Sequence, residues 1–324
     1  MDLSGRRESQ NVEDRRGSSS RGGLGGGLGN LGGSILGGGG GNILGQLLGG
    51  KGGCGCGTIA IVLLVMYLLG MNPLSMLTGG GDLGSILPGT ETSTGTTNEN
   101  GEYVGSADEE ALKEFTVKVL ASTEDVWAKE FRKMGKTYNP PKLILYSGRI
   151  QTGCGMGSSS TGPFYCSADE KVYIDLSFYN EMRNSLGADG DFAWAYVIAH
   201  EVGHHVQNEL GILGKAHQKM SQLSQEEANK VSVQIELQAD FLAGLWGHDE
   251  QALYGSMEKG DLEEALNTAL VIGDDYLQKK SRGRADTSTF THGTSAQRKK
   301  WFNRGFTTGD ISEGNTFALN YNQL

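Results

Sequence analysis

A helix that carries two histidines and a glutamate through an apolar run can be buried only if something cancels those polar groups. This chain contains such a helix. Residues 192–200 read Phe-Ala-Trp-Ala-Tyr-Val-Ile-Ala-His and continue into Glu201, Val202, Gly203 and His204. Histidines at i and i+4 project from one helical face about a turn apart, so both imidazoles reach one ion. Leaving them and Glu201 buried without partners would be costly, and a metal removes that cost. Zn²⁺ suits neutral imidazole, and a catalytic zinc site needs three protein ligands with water in the fourth place. Glu201 directly follows the first histidine, where its carboxylate can take a proton from that water. Asp189 and Asp191 are both candidate N-caps for the helix. Gly203 costs about 1 kcal/mol relative to alanine in a helix interior, so it marks a close approach by another backbone or by a substrate.

The third ligand must come from elsewhere. The pattern H-E-x-x-H-x-x-G-x-x-H would need glycine at 207 and histidine at 210, where Gln207 and Leu210 stand. Residues 224–244 open with the capping pattern Ser224 to Glu227 and continue at helical period. Glu236 and Asp240 are i, i+4 on this second helix. Stacked acids on a half-buried face repel unless a cation lies between them. Glu236 is therefore assigned as the third zinc ligand, and Asp240 as the acceptor that fixes the tautomer of a ligand histidine.

H-E-x-x-H followed by E-x-x-x-D resembles the gluzincins, the thermolysin-like metallopeptidases. A closer likeness covers nearly the whole chain, which is similar to the bacterial putative neutral zinc metallopeptidase family. It is carried by residues 5–17, the glycine-rich tract, one apolar span, Gly162-Pro-Phe-Tyr-Cys166, residues 199–207, Glu236-Leu-Gln-Ala-Asp240 and residues 291–298. The resemblance implies an α+β zincin-like domain, with a small sheet, an active-site helix and a helical C-terminal lobe, and it implies peptidase activity.

Composition divides the chain. Of 52 glycines, 22 precede residue 58, and such a tract buries too little apolar surface to offset its ordering entropy. Residues 1–56 are expected to form a disordered tail. No charge occurs between Lys51 and Asp82. Residues 57–77 within that gap give about 20 apolar residues, enough for one membrane crossing. Arg6, Arg7, Arg15, Arg16, Arg21 and Lys51 precede the span, and no Lys or Arg follows it until Lys113. The expected protein is thus single-pass in the plasma membrane, with a cytoplasmic N-terminus and the remainder outside. Residues 78–105 read as a flexible linker and 106–324 as the folded domain. Cys154 and Cys166 flank a Gly/Ser-rich loop that a disulfide would close in an oxidising compartment. Cys54 and Cys56 are open to lipidation or remain plain thiols. A net charge of −10 without a basic cluster argues against nucleic acid.

Within the domain, helices are expected over residues 108–136, 222–246, 262–279 and 294–303, and strands over 143–146 and 171–176. The second strand is either a sheet edge that pairs with an extended peptide or an internal strand. His292, in the polar turn of residues 291–295, is a candidate donor to a carbonyl oxyanion, against a surface or capping role. His205 points about 100° away from His204 and is expected near the site or at the surface. The chemistry read from these residues is peptide-bond hydrolysis of a peptide or protein substrate, with Glu201 as general base. The rival is a catalytically silent zinc-containing membrane adaptor.

Overall fold

The computed structural model describes residues 1–17, 96–98 and 103–324. The expected span 57–77 lies outside them, and no helix among the described residues is long and apolar enough to cross a membrane.

The C-terminal part opens with α1, Ala107–Lys133. Ser106 caps it by accepting the Glu109 N–H at 3.2 Å. Asp108, Glu109 and Glu110 in the first turn and Arg132 and Lys133 in the last complement the helix dipole. The apolar stripe predicted from the sequence, including Val119, Val126, Trp127 and Phe131, is buried in the main core.

Four strands make the principal sheet in the order β1-β4-β8-β7. They are β1 Val12–Asp14, β4 Lys142–Leu145, β7 Phe164–Cys166 and β8 Lys171–Ile174. β1 and β8 run parallel to β4, and β7 runs antiparallel to β8. Leu143–Leu145 and Val172–Ile174 are buried without alternation, as strands covered on both faces require. The strand at 171–174 is therefore internal and offers no free edge; the edge belongs to β7. Two small ribbons flank the sheet: β2 Thr96–Thr97 with β3 Tyr103–Val104, and β5 Arg149–Thr152 with β6 Gly155–Ser158.

The helical lobe contains α2 Asp191–Glu209, α3 Ile212–Met220, α4 Gln225–Tyr254, α5 Asp261–Val271, α6 Asp274–Arg282 and α7 Ser295–Thr308. The helix expected over 262–279 is two helices. They break at Gly273, where a Cβ would lie 2.3 Å from the Ser295 backbone nitrogen. The start of α7 docks so closely there that only glycine fits.

Residues 1–17 depart most from expectation, because they belong to the fold. Met1 and Leu3 lie in the main core. β1 adds to the sheet through Leu143 N–H to Asn11 C=O at 2.8 Å and Arg15 N–H to Leu145 C=O at 2.7 Å. Its arginines meet acids of the C-terminal part: Arg6 reaches Glu250 at 2.8 Å, Arg7 reaches Asp125 at 2.7 Å, and the buried Arg16 bridges Glu109 and Glu110, both at 2.8 Å. Specific pairing of these few residues outweighs the composition of the tract that follows them.

Candidate metal centre

The run from Phe192 to His200 is buried throughout. Neither candidate aspartate caps α2. The N-cap is Gly190, and the free Phe192 N–H is taken by Glu264 at 3.1 Å. Asp191 instead joins Glu258 and Asp261 around the α-amino group of Met1, at 2.8, 3.0 and 3.2 Å. These acids already have their cation.

α4 lies against α2 at Gly203. A Cβ on Gly203 would stand 3.1 Å from the Ala239 carbonyl oxygen and 3.3 Å from its Cα. The close approach anticipated from this glycine is therefore by the α4 backbone, and it sets Glu236 beside the two histidines. Glu236 Oε2 is 3.2 Å from His200 Nε2, and Glu236 Oε1 is 3.6 Å from His204 Nε2. One ligand atom from each of the three residues lies within 4.8 Å of the others.

Both histidines are held by their other ring nitrogen. His200 Nδ1 meets Asp240 Oδ1 at 2.8 Å, and His204 Nδ1 meets Gln207 Oε1 at 2.9 Å. Gln207 is anchored in turn on the Ile235 carbonyl at 2.8 Å. With Nδ1 protonated on both rings, two imidazole lone pairs and a carboxylate face one another in a buried pocket, an arrangement that calls for a positive charge at its centre. The titration directions agree. Burial favours neutral His200, but Asp240 and Glu236 outweigh it and draw its pKa up to about 10. Burial pushes His204 down to about 4. Against its burial, Glu236 is held well below the usual carboxylate range by the two histidines. A divalent metal replaces the proton this geometry demands, so the donor set fits one.

Asp240 has a larger role than the sequence disclosed. It is fully buried and accepts from His200, from the Tyr196 hydroxyl at 2.5 Å and from Nε and Nη2 of Arg298, both at 2.8 Å. Arg298, on the buried face of α7, went unassigned in the sequence reading. An arginine among Trp301 and Phe302 on an otherwise apolar face was the available signal.

Glu201 projects into the same cleft; burial, as the main cause, pushes its carboxyl up to about 7. His292 lines the cleft with His200, Glu201 and Arg298 and is not a surface residue. Its Nδ1 is 3.1 Å from Asp274 Oδ1, while Asp274 Oδ2 accepts the backbone N–H groups of Thr291, His292 and Gly293. Burial would lower its pKa, but the Asp274 and Glu236 charges prevail and raise it. His205 is buried away from the cleft, bonded to the Asn139 carbonyl and the Tyr165 hydroxyl at 2.7 and 3.1 Å. The Cys154–Cys166 disulfide is formed and ties the β5–β6 turn to the edge strand β7.

The profile of the family described as Putative neutral zinc metallopeptidase matches residues 1–317. The chain belongs to this family. It is similar to an uncharacterised Escherichia coli (strain K12) protein, YpfJ, with 49% identity over 318 residues, covering 98% of this chain and 99% of that protein. It is also similar to an uncharacterised Mycobacterium tuberculosis protein, with 40% identity over 191 residues, covering 56% of this chain and 64% of the relative. No solved structure matches the chain. The family match includes residues 1–17, in keeping with their place in the sheet, and zinc is the metal the family implies at the three-donor site.

Proposed function

We propose that the protein is a zinc-dependent endopeptidase whose metal is held by His200, His204 and Glu236. The observation that carries this reading is the convergence of those donors with Glu201 and His292 in one cleft. Among the described residues no fourth His, Cys or acid joins the group, which favours a site with an open position over a closed structural one. When bound, the zinc supplies Lewis acidity, lowering the pKa of a water in the open position and polarising the scissile carbonyl.

The chain's own groups do the rest. Glu201, with its pKa near neutrality, takes the proton from the attacking water and can return it to the leaving amine. His292, whose pKa Asp274 raises against its burial, offers its Nε2–H in the protonated form to the carbonyl oxygen as negative charge develops there. Asp240 holds His200 in one tautomer, and Arg298 balances the Asp240 charge. The outer edge of β7, which lines the cleft at Tyr165 beside Glu201, pairs with an extended substrate backbone.

The test is cleavage of an unfolded protein near neutral pH by the purified full-length chain. Activity should disappear with a chelator and return with one equivalent of zinc. A protein fully loaded with zinc that cleaves no unfolded substrate would remove the peptidase reading.

A further inference from the structure

The sheet restricts how the chain can meet a membrane. Residues 1–17 and 103–324 share one core and one sheet, joined by the β1–β4 register Val12 to Leu143, Glu13 to Ile144 and Asp14 to Leu145. The chain leaves the described fold after Gly17 and is back in it at Tyr103, and these two points are adjacent. Gly17 packs so tightly on Tyr103 that a Cβ there would fall 2.5 Å from its ring, and the Arg16 guanidinium lies 5.3 Å from the centre of the same ring. Four of the six basic residues counted before the span pair with acids among the described residues: Arg6 with Glu250, Arg7 with Asp125, Arg15 with Glu13, and Arg16 with Glu109 and Glu110.

We propose that residues 1–17 and the zinc-binding domain lie on the same face of any membrane the chain enters, so the apolar stretch 57–77 is not a lone crossing between them. A single crossing would hold β1 and β4 on opposite sides of a hydrocarbon layer about 30 Å thick, whereas their backbones are hydrogen-bonded. The tract 18–102 leaves and returns at the same face. The Cys154–Cys166 disulfide places that face on the oxidising side. Because β1 and β7 are the two outer strands of the sheet, the tract departs from the edge opposite the one bordering the cleft. The proposal is independent of whether the cleft cleaves peptides.

Cysteine accessibility in the full chain tests it. Cys54 and Cys56 are replaced by serine, and Glu8→Cys or Lys299→Cys is introduced, both at exposed positions. Gln10→Cys and Lys136→Cys, also exposed, form an independent pair. Intact bacterial spheroplasts are then treated with a membrane-impermeant maleimide. Labelling of both members of a pair is the expected result. Labelling of neither until permeabilisation would overturn the placement of that face on the oxidising side. Labelling of one member, with the other reacting only after permeabilisation, would overturn the proposal.

Discussion

Asp240 shows how much one buried residue has to balance. Its carboxylate meets His200, Tyr196 and Arg298 at once, so Asp240→Asn should weaken zinc binding by about 10- to 100-fold through the loosened histidine. It should also destabilise the fold by roughly 3–5 kcal/mol, because Arg298 stays buried without its counter-ion. Isothermal zinc titration and thermal unfolding check the two parts, and an unchanged zinc affinity would show that Asp240 does not orient His200. Glu236→Ala should lose zinc, whereas Glu201→Gln should keep it and lose at least about 10²-fold in turnover, the scale of general-base work. Full zinc occupancy in Glu236→Ala would sink the ligand assignment. The oxyanion role of His292 has a pH signature. Asp274 raises the His292 pKa, and the donor works only while protonated, so activity should fall as pH rises through that value. Asp274→Asn removes the charge and should shift the alkaline limb to lower pH. An unmoved limb would assign it to another group. Glu236 and Asp240 were legible in the sequence because i, i+4 acids on an apolar helix have few other uses. The arginine that balances Asp240 was not, since it comes from a helix about sixty residues further on and no local period announces which helix will cover a carboxylate.

At the scale of elements, the site depends on how closely α4 can approach α2. Gly203→Ala would improve the intrinsic propensity of α2 by about 1 kcal/mol, yet its Cβ would meet Ala239 main-chain atoms at 3.1 and 3.3 Å. Backbone cannot turn aside as a side chain does. The helices must separate by a few tenths of an ångström, and overpacking of this kind costs about 1–3 kcal/mol. The expected outcome is weaker zinc binding with α2 intact by circular dichroism, measured by competition with a chromogenic chelator, and wild-type affinity would deny that this contact sets the site. Periodicity gave the helices well, since long apolar stripes have few other solutions. It failed at 262–279 because a glycine needed for a tertiary contact looks no different in sequence from one tolerated inside a helix. It also left open whether the strand at 171–174 was an edge, because pairing on both sides is decided by β1 and β7, neither of which carries a strong pattern of its own. β1 should be the acid-labile element. Burial would raise the Asp14 carboxyl, but hydrogen bonds from Arg16 and Lys113 hold it below its ordinary value. Glu110 is likewise held down, against its burial, by the Gly105 N–H and Arg16. Both folded values lie below the unfolded ones, so this stabilisation is fully present above about pH 5, where both unfolded carboxyls are ionised, and is lost as pH falls through the folded values. The protection of residues 12–14 against hydrogen exchange, taken relative to the intrinsic rate at each pH, should therefore fall between pH 6 and pH 3 more than that of residues 172–174. An equal fall in protection would mean that the arginine pairs do not hold β1.

For the whole molecule, the misleading feature was an average. Residues 1–17 adjoin a glycine-rich tract and share its reading when composition is taken over the first fifty residues, although they contain only two of its glycines, Gly5 and Gly17. Their charge pattern was the overlooked signal, because four arginines among acids and apolar residues suit a docked segment as well as a cytoplasmic anchor. The energetic consequence is large. Removing residues 1–17 takes Met1 and Leu3 out of the main core, each worth about 1.5–3 kcal/mol when fully buried. It also strips Arg6 from Glu250, which is 0% exposed, and breaking a buried pair from one side costs roughly 3–5 kcal/mol. Glu124 would lose Ser9, Asn11 and Arg7 together. These losses are comparable with the whole 5–15 kcal/mol by which an ordinary domain is stable. A chain beginning at residue 103 should therefore unfold at a much lower temperature than the full chain or fail to fold cooperatively, and adding a peptide of residues 1–17 should restore part of the difference. Calorimetry of the truncated and full-length proteins decides the matter: matching transitions would mean that the N-terminal segment only rests on a domain that is complete without it.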